Sequence, residues 1–187
     1  MDHKDCWKMK KEDIRHYDRV AAVYDVQYRE EQEVKYSAAL DAARFSKRGC
    51  ILDLGCGTGL FDEEVAKLGD FVIGVDHSAQ MLKKAKQRHN DQRIFFLCAD
   101  ADNLPFAGET FEKTFSFTVL QNMPYPEKTV AEICRVSKRG SEVVLSVPKK
   151  AFTRSSFSRI LTETGLSFVE FVDEEEFKDY IAVCKIW

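Results

Sequence analysis

A chain of 187 residues with 28 basic and 31 acidic side chains carries a formal net charge of −3, which gives no global pull toward a polyanion and sets aside unaided nucleic-acid binding. An apolar fraction of 44% and a charged fraction of 32% suit a folded globular domain and exclude a disordered or fibrous chain. The length predicts one domain over residues 1–187. With no apolar run near the ~20 residues of a spanning helix and no secretory stretch at the start, the expected setting is the cytoplasm, without a membrane span.

In chain order, residues 13–43 contain no Gly or Pro and read as one or two helices, with Val20, Val23 and Tyr24 forming an apolar side. This leading segment, residues 1–45, is expected to cap a core formed by residues 50–187. Residues 51–54 read as a first strand, closed by a Gly-rich turn. Residues 60–68 continue as a helix with Phe61, Val65 and Leu68 at helical spacing. A second strand spans residues 71–76, and a second helix, residues 79–89, carries Met81, Leu82 and Ala85. Strands at 93–97 and 111–117, a helix at 128–136 and a strand at 142–147, ended by Pro148, keep the alternation. A helix at 157–164 stops at Gly165, and two β-like runs at 167–172 and 180–186 read as an antiparallel pair. The pattern predicts an α/β fold, a doubly wound sandwich with helices on both faces of a mostly parallel sheet.

Cys6, Cys50, Cys56, Cys98, Cys134 and Cys184 show neither a Cys-x-x-Cys pair nor a His at ligand spacing, so no metal site is expected. Cys50, Cys98 and Cys184 lie in or beside strands and read as packing residues. Two basic clusters, Lys8, Lys10 and Lys11, and Lys83, Lys84, Lys86 and Arg88, read as solvated helix faces.

In an open parallel sheet, ligands bind beyond the carboxyl ends of the strands, so the loops after strands one to four carry the chemistry. The run Asp53-Leu54-Gly55-Cys56-Gly57-Thr58-Gly59 removes Cβ atoms where a ligand must approach backbone amides. It departs from the dinucleotide fingerprint, because Leu60 stands where that pattern needs its third Gly. Asp76 ends strand two, where a carboxylate can accept from both hydroxyls of a ribose, and Ser78 is the better cap for the following helix. Asp100 could accept from an adenine amino group, with Ala101 leaving the ring room.

These runs, with Gly74-Val75-Asp76-His77-Ser78 and Asp100-Ala101-Asp102-Asn103-Leu104-Pro105-Phe106, resemble the class I S-adenosylmethionine-dependent methyltransferases. Within that class the chain is similar to the ubiquinone/menaquinone C-methyltransferase type (methyltransferase type 11 domain). Residues 17–25 resemble that type's helical start and residues 132–140 its run into strand five, so the resemblance covers about residues 17–148. It implies a seven-stranded sheet of order 3-2-1-4-5-7-6 and the cofactor S-adenosyl-L-methionine, leaving S-adenosyl-L-homocysteine as product. It also implies that Gly55, Cys56, Gly57 and Thr58 line the methionine part of the cofactor while Asp53 helps hold its ammonium. Asp76 would take the ribose, Asp100 and Ala101 the adenine, and Phe117 the sulfonium region, with His77 also at the cofactor and Tyr17 or Tyr24 closing over the site.

Gln121 and Asn122 stand where relatives often carry a pair of histidines, and neither amide can act as a base near neutral pH. The stretch Asn122-Met123-Pro124-Tyr125 looks like the Asn-Pro-Pro-Tyr signature of amino-group methyltransferases, but stands five residues too late after strand four. Gln121, Asn122 and Tyr125 are therefore expected at the acceptor, and no catalytic residue is assigned. Three readings of the acceptor stay open. A small molecule is favoured by the resemblance of the leading helix. A protein or RNA, recognised with a partner subunit, is the alternative, because strand five runs through residues 148–156 into the next helix without an inserted lid. A non-catalytic nucleoside-binding module is the third.

Overall fold

The computed structural model describes residues 3–43 and 49–187. Seven strands form one sheet: β1 (Cys50–Leu54), β2 (Phe71–Asp76), β3 (Ile94–Cys98), β4 (Phe111–Phe117), β5 (Ser137–Pro148), β6 (Leu166–Val172) and β7 (Asp179–Ile186). Their order is β3-β2-β1-β4-β5-β7-β6, parallel from β3 to β5, with β7 antiparallel to both β5 and β6. The fold class and strand order are those expected. The chain leaves β1 toward β2 on one side and later returns to β4 on the other, so the carboxyl ends of β1 and β4 flank a crevice.

Among the described residues there are six α-helices: α1 (His3–Val20), α2 (Tyr24–Ala42), α3 (Asp62–Ala66), α4 (Ala79–Arg88), α5 (Pro126–Val136) and α6 (Arg154–Glu163). Alternation along the buried strands divides the core into two layers. Leu52, Leu54, Val143, Leu145 and Val147 face a cluster with Val130, Ile133, Phe157 and Leu161 of α5 and α6. Ile51, Phe115, Phe117 and Val144 point the other way, onto Phe61, Val65, Ala39 and Ala42 beside α2 and α3. In that second layer Phe61 lies 4.4 Å from Tyr36 and, edge-on, 5.0 Å from Phe117, between ring centres. Each fully buried aliphatic or phenyl group of this kind contributes roughly 1.5–3 kcal/mol, so both helical layers are held mainly by apolar burial.

Several boundaries differ from the expected ones. The helix expected over residues 60–68 is reduced to Asp62–Ala66: the loop before it runs through positive φ at Gly55, Gly57 and Gly59, and tight turns follow at Lys67 and Leu68. A Cβ at Gly69 would stand 2.7 Å from the carbonyl of Gly49, so the chain must turn close against β1. Strand β5 begins at Ser137 rather than 142, because the β4–β5 register shifts between Phe111 and Lys113 and Gly140 takes φ of 74°. α1 starts ten residues before the expected helical segment, and Val23, in the turn after it, is 54% exposed and not part of an apolar face. Cys184 is buried and Cys50 half-buried, but Cys98 is exposed at the end of the edge strand β3 and does not pack as expected. Among the described residues no His, Cys, Asp and Glu cluster could hold a metal, and no helix is long and apolar enough to cross a membrane.

Candidate functional site

The turn after β1 is pinned to β2: the amides of Gly55 and Cys56 both donate to the carbonyl of Val75, at 2.7 and 3.1 Å. Gly55 takes φ of 79°, and a Cβ there would fall 2.2 Å from Val119 Cγ2. At Gly57 (φ 56°) an added Cβ would meet nothing within 4 Å, so this backbone faces open space that a side chain would begin to fill. The Gly57 amide donates to Asp76 Oδ2 at 2.9 Å and the Ser78 amide to Oδ1 at 2.7 Å. Ser78 itself caps α4, accepting from the Met81 amide. Asp76 is thus free of capping duty and keeps unshared electron pairs to accept further hydrogen bonds. Burial raises its carboxyl pKa, against the two amide donors and His77.

Gly55, Gly57 and Asp76 line a cleft of about 70 Å³ with Leu54, Val75, His77, Ala101 and Phe117 on its floor and walls. Its roof is α1 and the start of α2, which supply Asp13, Tyr17 and Tyr24. α1 is strapped across three loops. Lys10 Nζ lies 2.6 Å from Asp100 and 2.6 Å from Asp102 in the loop after β3. Asp13 Oδ2 lies 3.1 Å from His77 Nε2, and Asp18 Oδ1 accepts from the hydroxyl of Ser78 at 2.6 Å, both after β2. The Tyr17 hydroxyl accepts from Asn122 Nδ2 at 3.0 Å after β4. Burial acts to lower the His77 pKa, but the bond to Asp13 and the charge of Asp76 prevail and raise it. Burial likewise opposes the charge of Lys10, and the two carboxylates hold its pKa above the ordinary lysine value. Lys10, expected on a solvated face, is only 9% exposed.

Next to the cleft, and sharing Tyr17, Tyr24, Thr118 and Asn122 with it, opens a chamber of about 690 Å³. Tyr28, Gln32, Gln121, Lys150 and Asp179 line it further out. Tyr24 packs, with its ring tilted, between Tyr28 (4.9 Å) and Tyr17 (6.3 Å), and burial raises its phenol pKa well above the ordinary tyrosine value. The chamber is a tyrosine-walled space, and burial raises the phenols of both Tyr17 and Tyr24.

Of the residues expected at the cofactor, Tyr24, Gly55, Gly57, Asp76, His77, Ala101 and Phe117 come together around the cleft. Asp53, Cys56, Thr58 and Asp100 do not line it. Asp53 is buried beneath the glycine turn beside Asp62; burial and that neighbour hold its carboxyl well above the usual range. Cys56 is buried with its sulfur toward Gly74, and burial pushes its thiol up. Thr58 turns its hydroxyl to Asp25 of α2. Asp100 has both carboxylate oxygens on Lys10. Gln121 and Asn122, in a short 3-10 turn, face the chamber, whereas Tyr125 sits at the exposed start of α5. Sequence reasoning missed Lys10, Asp13 and Thr118. Lys10, Asp13 and Tyr17 recur at three- and four-residue spacing on one helix face, a legible signal; the partners of Lys10 are not.

A glycine-turn cleft at the β1–β2–β4 ends of a sheet ordered 3-2-1-4-5-7-6 defines a class I S-adenosylmethionine-dependent methyltransferase fold. Residues 52–145 match the family described as methyltransferase domain, about half of the chain, and the chain belongs to that family. It is 42% identical over 97 residues to the demethylmenaquinone methyltransferase of Paenarthrobacter aurescens, covering 51% of this chain and 37% of that protein. It is 34% identical over 132 residues to an uncharacterised protein of Methanocaldococcus jannaschii, covering 70% and 60%. The chain thus spans less than two thirds of the curated relatives it matches. Its fold is similar to a chain from the complex between the Haloferax volcanii Trm112 methyltransferase activator and a methyltransferase, with TM-score 0.75 and 19% identity over 90% of this chain and 96% of that one.

Proposed function

We propose that this is a cytoplasmic methyltransferase that takes the methyl group of S-adenosylmethionine and places it on a small-molecule acceptor held in the tyrosine-walled chamber. The observation that carries this reading is that cleft and chamber share Tyr17, Tyr24, Thr118 and Asn122, so a donor in one would abut an acceptor in the other. The residues fit the cofactor: Gly57 offers backbone with open space, Asp76 keeps acceptor capacity for a ribose, and Ala101 leaves room for a flat ring. When bound, the cofactor supplies a methyl carbon already activated on a sulfonium. The chain's task is then to align the two partners and exclude water, and it needs no nucleophilic side chain of its own. Gln121 and Asn122 shape the acceptor space through hydrogen bonds. Asn122 also braces Tyr17, and so joins the acceptor wall to the roof.

The test is a thermal-shift titration. S-adenosylhomocysteine should raise the melting temperature and NAD should not, because the cleft offers a ribose carboxylate without a pyrophosphate turn. Equal stabilisation by NAD would reject the cofactor.

A second reading, methylation of a protein or RNA with a partner subunit, is supported by the outer edge of the sheet. Among the described residues strand β3 is the edge of the sheet, and Phe95 of β3 (50% exposed) lies 6.2 Å from Phe71 of the adjoining β2 (51% exposed), an apolar surface suited to another chain. Incubation with methyl-labelled cofactor and a size-fractionated cell extract separates the two readings: label in small molecules supports the first, label in macromolecules the second.

A further inference from the structure

The carboxyl end of β4 carries a polar network that the cofactor cleft does not use. Thr118 has φ of 55°, in the left-handed region that a β-branched side chain rarely enters. Its amide donates to the Ser146 carbonyl at 3.1 Å and to Ser146 Oγ at 3.2 Å, so β5 imposes the conformation. This places Thr118 where cleft and chamber meet, with its hydroxyl 3.4 Å from Lys35 Nζ.

Lys35, on α2, has a side chain only 5% exposed, and its ammonium lies 2.6 Å from Asp179 Oδ2. That oxygen also accepts from Ser146 Oγ at 3.1 Å. Burying such a pair costs several kcal/mol of desolvation per ion, and packing alone would be served as well by apolar residues. A hydroxyl that accepts from an ammonium keeps its own proton to donate, and the charge behind it makes it a better donor. The surrounding charges lean the same way. Lys150 and Lys178 line the chamber against the carboxylates of Glu31 and Asp179, Lys178 paired with Glu31 and Asp179 with the buried Lys35, so Lys150 is left facing the space, with His16 also on the wall.

Resting on the reading of the chamber as the acceptor site, we propose that Thr118, Lys35 and Asp179 hold an anionic oxygen of the acceptor. Thr118 Oγ donates to that oxygen, Lys35 supplies positive charge behind the hydroxyl, and Asp179 fixes Lys35; the last two are positioning residues. The acceptor class is a molecule with an ionised oxygen at, or conjugated with, the atom that is methylated. The acceptor's electron pair forms the bond to the methyl carbon and the carbon–sulfur pair stays on sulfur. In this step the acceptor anion and the sulfonium cation cancel; where the methylated atom is a conjugated carbon that carries hydrogen, that proton leaves to water afterwards as the conjugation is restored.

The test uses the full chain saturated with S-adenosylhomocysteine and, as probe, 4-nitrophenol, whose anion absorbs in the visible. Wild-type protein should bind the anion and lower the apparent pKa of the bound phenol by about one unit, the effect of a nearby opposite charge. Lys35→Met and Thr118→Val should abolish the shift, Lys35→Arg and Thr118→Ser should keep it, and S-adenosylhomocysteine affinity should stay within about twofold in both Lys35 variants. The neutral isostere 4-nitroaniline should bind at least tenfold more weakly. An unshifted phenol, no binding at millimolar probe, or a shift that survives in both Lys35→Met and Thr118→Val overturns the proposal; should the Lys35 variant not fold, the Thr118 pair decides. Tyr28→Ala separates the two levels of inference. Probe binding that ignores Tyr28 rejects the chamber as the acceptor site, whereas binding that depends on Tyr28 without a shift rejects only the triad.

Discussion

At single positions the site is governed by what each carboxylate is asked to hold. Asp76 already carries two backbone amides and still faces the cleft, so it can accept ribose hydroxyls without giving up its structural bonds. Replacing it with Ala should weaken S-adenosylhomocysteine binding by about 2–3 kcal/mol, the worth of a pair of charge-assisted hydrogen bonds, in calorimetry on folded protein. Unchanged affinity would remove the carboxylate from the ribose. Asp62 is the opposite case. It is fully buried at the start of α3 beside Asp53, and burial pushes its carboxyl from 3.8 up to about 7. A carboxyl whose pKa rises on folding binds more protons in the native state, so its contribution to stability declines as pH climbs from about 4 to about 7. Asp62→Asn, which mimics the protonated group, should raise the melting temperature most at pH 8, less at pH 5, and leave it nearly unchanged only below the unfolded pKa of 3.8. A gain equal at both pH values would mean that the group does not titrate in this window. Asp76 and the glycines were legible in the sequence because a strand end followed by small residues has few other uses. The burial of Asp53 and Asp62 against each other depends on how the turn folds beneath itself, and no local pattern announces it.

Among the elements, α1 shows most clearly where sequence reasoning stops. Strands β1, β2 and β4 and helices α4 and α5 fall within two residues of the pattern, because alternating and helical periodicities belong to the segment itself. The docking of α1 belongs to three distant loops, and a lysine-rich, strongly polar helix looks solvated until the carboxylates that receive it are in place. Lys10→Met strands Asp102, whose side chain is only 5% exposed, and should cost about 3 kcal/mol in urea denaturation, as expected when one partner of a buried pair is removed. Limited proteolysis should also show faster cutting in the turn at residues 21–23, between α1 and α2. A variant as stable and as resistant as wild type would mean that the strap is held by its other contacts. The short α3 and the early start of β5 were illegible for a different reason. Positive-φ glycines and a register shift interrupt both, and these features carry no hydrophobic period.

For the whole molecule, the sheet order was readable because strand-helix alternation ending in two adjacent strands admits few arrangements, whereas the chamber is assembled from α1, α2 and the loops after β4 and β5 and has no linear signature. One consequence of the strap concerns time rather than affinity. Lys10, Asp13, Asp18 and Tyr17 tie a single helix to the loops after β2, β3 and β4, so those loops are joined at one roof. A molecule beneath the roof exchanges with solvent only when several of these contacts open together, and its residence is set by that opening. Two of the ties are ion pairs within reach of water, which salt screens. Release of S-adenosylhomocysteine, followed by stopped-flow displacement, should therefore quicken with ionic strength and quicken further in Lys10→Met, while its rate of entry changes less; a release rate indifferent to both would show that the helix does not govern the clock of the cycle.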